Sequence, residues 1–153
     1  MGAITTKKYF QGRFEGADKI SGEYIADLMK SRPNAKNSHR CMSSCVISCS
    51  NVIVDEKGET VVSGFEYETI ALMGSNCMID DIDIIARMNR VCNDVGGAIA
   101  VAMEAEFLPW GDGQRALEMV TEIAKGTKIG KMIGNGCKYT GETLVWYLGR
   151  RTR

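Results

Sequence analysis

The chain has 153 residues, 44% hydrophobic and 25% charged, with 17 Gly and 2 Pro; this is the composition of a globular domain and excludes a disordered, collagenous or fibrous chain. Nineteen Lys and Arg balance nineteen Asp and Glu, with one His, so there is no net positive field to hold a phosphate backbone and no nucleic-acid partner is expected. No apolar run reaches the roughly 18 to 20 residues that span a bilayer, and the opening MGAITTKKYF has no hydrophobic export region, so the expectation is a cytoplasmic protein with no membrane partner.

A domain of this size buries about 70% of the surface its unfolded chain exposes, so its core needs no disulfide staples. The six cysteines are therefore expected as reduced thiols serving packing, metal binding or redox work. Met1-Gly2 with Thr6 meets a loose lipidation pattern that carries little weight by itself.

In chain order, residues 1–19 show neither helical nor strand periodicity and read as an extended arm. Ser21 is an N-cap candidate. Tyr24, Ile25, Leu28 and Met29 then fall on one helical stripe that Pro33 ends. NVIV, DEKG and ETVV read as a β-hairpin near 52–62, the one β region expected. Helical pattern follows over 66–73 and over 80–93, where Asp80 or Asp81 caps a stripe of Ile82, Ile85, Met88 or Asn89, and Cys92. GGAIAVAMEAEF continues as an alanine-rich helix, Pro109-Trp110-Gly111 breaks it, and Asp112 caps a helix through Leu117, Val120 and Ile123 that Gly126 stops. Shorter helices are expected over 129–137 and 142–148, with a frayed basic tail. The fold class is thus mainly α with one small hairpin. The GDG and GNG pieces follow no strand of a βαβ unit and are no dinucleotide fingerprint.

Cys41, Cys45 and Cys49 recur every four residues. On a helix their Cβ atoms would form one stripe about 5 to 6 Å apart. Three soft thiolates suit an iron–sulfur cluster or zinc, and three small apolar thiols suit a core stripe equally well; spacing leaves both open. His39 stands alone in a polar stretch and reads as a surface residue. Met73, Met78, Met88, Met103 and Met119 read as adaptable core filler, and Trp110 and Trp146 as packing anchors.

FQGRFEGADKISGE, SCVISCSN, and FEYETIALMGSNCMIDDIDIIARMNRVCNDVG, in that order, resemble the tungsten-containing aldehyde ferredoxin oxidoreductase family over 5–143. The resemblance implies a helical domain like the first helical domain of that family, so that 1–153 is a single truncated domain, an internal slice of a longer architecture. It implies an oxidoreductase component, oxidising aldehyde to carboxylate and passing electrons to ferredoxin through a 4Fe-4S cluster, with a tungsten or molybdenum pterin. Its implied partners are ferredoxin and other oxidoreductase domains or chains.

Residue by residue, Cys45 and Cys49 match the last two cysteines of the family's C-x2-C-x3-C triplet, the first falls on Met42, and Cys41 lies one position earlier. Cys41, Cys45 and Cys49 are the metal-ligand candidates; the family's fourth ligand falls beyond this chain, so Cys77, Cys92 or Cys137 would have to replace it, and the reading favoured for all three is a buried packing thiol. Glu68 in FEYE is the implied acid/base residue, a role that calls for a partly desolvated carboxyl. The pterin-binding pattern falls on Asn93, Asp94 and Gly96, with Asn in place of its first Asp. A metal-bridging Glu and His of some family dimers fall on Ala86 and Asn89, so no bridging metal is expected. The competing expectation is a non-catalytic remnant of the family, a helical module for interaction or homo-oligomerisation.

Overall fold

The computed structural model describes residues 4, 6–40, 42–92 and 95–151, with side chains described through residue 145. It is mainly helical with one small antiparallel sheet, the expected class. Helix α1 spans Gly22–Ser31, and the Ser21 side chain accepts from the Tyr24 N–H as the expected cap. Ile25 and Met29 turn inward, and Arg32, which precedes Pro33, is extended and ends the helix.

The hairpin expected near 52–62 is strands β2 (Ser50–Val54) and β3 (Thr60–Phe65), paired antiparallel with Ile53 opposite Val62. Asp55 makes the connection by accepting from the backbone N–H groups of Lys57 and Glu59, both at 2.9 Å, and Gly58 supplies a positive φ of 82°. A third strand, β1 (Lys36–His39), adds to β2 with His39 opposite Ser50. Sequence reading misses it because Lys-Asn-Ser-His is exposed throughout. Backbone pairing alone makes it a strand, and no alternation of apolar residues betrays it.

The opening segment is also more structured than an extended arm. A 3-10 helix over Glu15–Ile20 plants Phe14 and Ile20 in the core. Two anchors six residues apart are too sparse to give a period. After β3 the chain winds irregularly: α2 (Tyr67–Thr69) runs into a π turn over Ile70–Gly74 and a 3-10 turn over Ser75–Cys77. Helix α3 (Ile82–Val91) is capped by Asp81, which accepts from Asp83 and Ile84, and buries Ile82, Ile85, Ala86 and Met88. It stops before Cys92, which is half-buried.

Helix α4 (Gly96–Glu104) buries Ala98, Ile99, Ala100, Ala102 and Met103. Its small side chains let the 70–77 turns and the helix over Gly136–Arg151 approach from several sides. Helix α5 (Gly113–Lys125) is capped by Asp112 and stopped by Gly126 at φ +65°, as its sequence predicts. Helix α6 spans Lys128–Gly134. Helix α7 runs unbroken over Gly136–Arg151, joining Cys137 to the stretch expected as a separate helix. Met73, Met88, Met103 and Met119 are buried filler. No helix among the described residues is long and apolar enough to cross a membrane.

Candidate functional site

The cysteine-bearing segment 42–49 is a loop, so the helical thiol stripe does not form. Serine and β-branched residues dominate Ser-Ser-Cys-Val-Ile-Ser-Cys, a poor helix sequence. The Cys45 N–H donates to the Met42 carbonyl at 3.1 Å, and Arg40 Nε donates to Ser48 Oγ at 3.2 Å across the loop. Cys45 is half-buried and Cys49 exposed; Cys41 lies outside the described residues. Met42, Val46 and Ile47 face solvent at 63, 92 and 77% exposure, an unusual density of bare apolar surface for eight residues.

Cys49 borders a cavity of about 490 Å³. Phe14, Ile20, Ile25 and Ile70 give it an apolar floor, and Arg13 and Tyr67 stand with Cys49 on its wall. The cavity therefore brings together three of the sequence blocks singled out above: FQGRFEGADKISGE, SCVISCSN and FEYE. Glu68, the next residue after Tyr67, is exposed in the first turn of α2, and Glu66 is the half-buried residue preceding that helix. The desolvation that acid/base work calls for is not supplied to Glu68 by the described residues.

Gly96 is elsewhere, at the buried start of α4. A Cβ placed on it would lie 2.8 Å from the carbonyl carbon and oxygen of Leu72, so the absence of a side chain serves close packing of α4 on the π turn. Asn93 and Asp94 lie outside the described residues.

The other thiols differ among themselves. Cys77 is wholly buried, with its Sγ 3.3 Å from the Leu72 carbonyl oxygen and 3.5 Å from that of Gly96, and burial pushes its pKa up to about 12. That suits the packing role expected of it. Cys137, in the first turn of α7 and close to Gly97, is exposed instead, so the expectation of a buried thiol fails there. Among the described residues, no group of three or more His, Cys, Asp or Glu is placed to hold a metal ion. His39 is exposed on β1.

The family model for aldehyde ferredoxin oxidoreductase, domains 2 and 3, matches residues 1–146. The chain belongs to this family. It is similar to the tungsten-containing aldehyde ferredoxin oxidoreductase of Pyrococcus furiosus, 27% identical over 159 residues, which cover 88% of this chain and 25% of that protein. To the protein of the same name from Thermococcus kodakarensis it is 28% identical over 160 residues, with the same coverage. The chain thus spans about a quarter of the length of the curated relatives it matches. It is an oxidoreductase-family domain, as the ordered motifs imply.

Membership of the aldehyde ferredoxin oxidoreductase family does not by itself point to the polar group that most firmly joins sheet to helices. Arg32, between α1 and Pro33, makes a bidentate pair with Asp83 of α3 at 2.6 and 2.7 Å and also donates to the Val54 carbonyl of β2 at 2.8 Å. Its side chain is only 11% exposed, and the hydrogen-bonded Asp83 carboxylate holds the guanidinium above its ordinary pKa. Fifty-one residues separate the partners, so no local spacing signals the pair.

Proposed function

We propose that this chain is a component of a redox enzyme that oxidises aldehydes to carboxylates and passes electrons to ferredoxin, working only when further domains or chains cover its cysteine loop. The observation that carries this reading is the juxtaposition at the 490 Å³ cavity of Cys49 with Tyr67 of the FEYE block, within a family match over 1–146. Cys45 and Cys49 are the thiols it would contribute to an iron–sulfur cluster, with the remaining ligands coming from Cys41 or from outside the chain.

The described residues do not on their own fit the family's cofactors. Two thiols on an exposed loop leave a four-iron cluster short of ligands, and Gly96 is occupied with packing against Leu72, leaving no cradle for a pterin there. No step is therefore routed through either group. What this chain's own residues supply is positioning: the cavity floor sorts apolar from polar parts of a small molecule, and Glu68 can take up or give back a proton once a covering surface removes it from water.

Anaerobic purification from the native source, with whatever co-purifies, followed by iron, sulfide, tungsten and molybdenum analysis tests the reading. About four irons and four sulfides per chain, lost on Cys45→Ser or Cys49→Ser, is the expected result. Metal-free protein whose stability ignores both substitutions would overturn it. That outcome favours a non-catalytic module for interaction or self-association, to which the bare Met42, Val46 and Ile47 and the exposed Glu68 already lend support.

A further inference from the structure

Lys7, Lys8 and Tyr9 have φ of 47, 53 and 68°, three consecutive residues with side chains in the left-handed region that favours glycine. An ordinary surface turn would place Gly or Asn there. Such a run relaxes unless neighbouring structure holds it. Three polar contacts hold it among the described residues, beside its packing on the Ser75–Cys77 turn. The Lys8 N–H donates to Oδ1 of the buried Asn76 at 3.0 Å, Lys8 Nζ pairs with Glu104 at the end of α4, and Lys7 Nζ lies 5.4 Å from the centre of the Trp110 ring. Thr6, buried, pairs with Gln11 and closes the base of the turn. At its tip Tyr9 and Phe10 stand in solvent at 84 and 72% exposure.

Thr6 and Gly12, the two ends of this turn, are also wall residues of the 490 Å³ cavity. We propose that residues 6–12 are a latch on that cavity, a strained turn kept shut by charge-based contacts and released when those contacts are weakened, so that one wall of the cavity opens. The inference is independent of the redox reading. Backbone strain pushes the latch open. Of the three polar contacts against the helical body among the described residues, two depend on a lysine charge, and the Lys8 and Glu104 side chains are 34 and 40% exposed, so dissolved ions reach and screen them. The deeper bond to Asn76 orients the turn and leaves the salt-sensitive contacts to decide how long it stays down.

Trypsin reads this directly, because it can cut after Lys8 only when that side chain has left Glu104 and entered the protease. Lys57, exposed in the β2–β3 turn and without a salt-bridge partner among the described residues, is the internal reference. On the folded full chain, the ratio of cleavage after Lys8 to cleavage after Lys57 is expected to rise about two- to five-fold between low and high salt, the factor an exposed pair of this kind supplies. Glu104→Gln starts at the raised ratio and loses most of the salt dependence. Tyr9→Asn, which tolerates positive φ, lowers the ratio by relieving strain. A ratio that ignores salt, a Glu104→Gln protein indistinguishable from the parent, or a Tyr9→Asn protein cut as fast or faster would each overturn the latch.

Discussion

Helix α4 and the 42–49 loop are both rich in small and apolar residues, and they meet opposite fates. In α4 the apolar side chains recur on a helix, and every one but Val101 is buried. In the loop the same kinds of residue interleave with serine, take no regular form and leave Val46 and Ile47 bare. Burial thus follows from having regular structure with neighbours packed against it, not from hydrophobicity alone. The helical core buries its apolar side chains, whereas the cysteine loop leaves Val46 and Ile47 in solvent. The curated relatives that the chain matches are about four times as long, and the reading proposed above, in which further domains or chains cover the loop, accounts for that contrast.

The sharpest way to break the comparison is to truncate one isoleucine on each side of it. Ile85 of α3 is fully buried, and Ile85→Ala should cost about 2 to 5 kcal/mol by removing buried methylenes and leaving a cavity. Ile47→Ala in the loop should change stability by no more than about 0.5 kcal/mol. Urea midpoints at constant slope measure both. Comparable losses would mean that the loop is packed as the helices are and that the two regions do not differ.

Gly96 sharpens the boundary between a residue kept for packing and one kept for a ligand. Gly96→Ala places a methyl 2.8 Å from the Leu72 backbone, where the neighbour is main chain and cannot swing aside. A loss of about 1 to 3 kcal/mol is expected, seen as a lower melting temperature with no ligand or metal present. If the substitution is silent in the bare protein, packing is not the reason for the glycine.

Much of the helical half is legible from local signals. Ser21, Asp81, Asp112 and Gly126 sit where capping chemistry wants them, and the stripes of α1 and α3 follow from the 3.6-residue period. What escapes the sequence depends on pairing at a distance: the all-polar strand β1, the Phe14 and Ile20 anchors, and the Arg32–Asp83 pair have no local signature. The site divides the same way. Motif order reveals Cys45, Cys49 and Glu68 as candidates, but only the folded chain puts Cys49 and Tyr67 on one cavity and Gly96 against Leu72. The cysteine spacing misleads, since a four-residue repeat is a stripe only if the segment is helical.

A smaller effect, visible only as a function of pH, tests whether the sealed region is sealed to charge as well as to water. The Cys77 thiol has its pKa raised by burial from 9.0 to about 12, and its proton points toward carbonyl oxygens of Leu72 and Gly96 that would repel a thiolate. Below pH 9 both the folded and the unfolded chain keep that proton, and its contribution to stability is fully present. Between pH 9 and 12 the unfolded chain releases the proton while the folded one retains it, so stability falls by about 1.4 kcal/mol for each pH unit above 9. Cys77→Ala removes this slope while adding a pH-independent cost for the lost sulfur. The measurement is the difference in unfolding free energy between parent and variant at pH 8 and at pH 10.5, in which other titrating groups cancel. Convergence of the two proteins at the higher pH is the expected result. A constant difference would mean that water or local opening already reaches Cys77, and the core would then be less closed than its packing indicates.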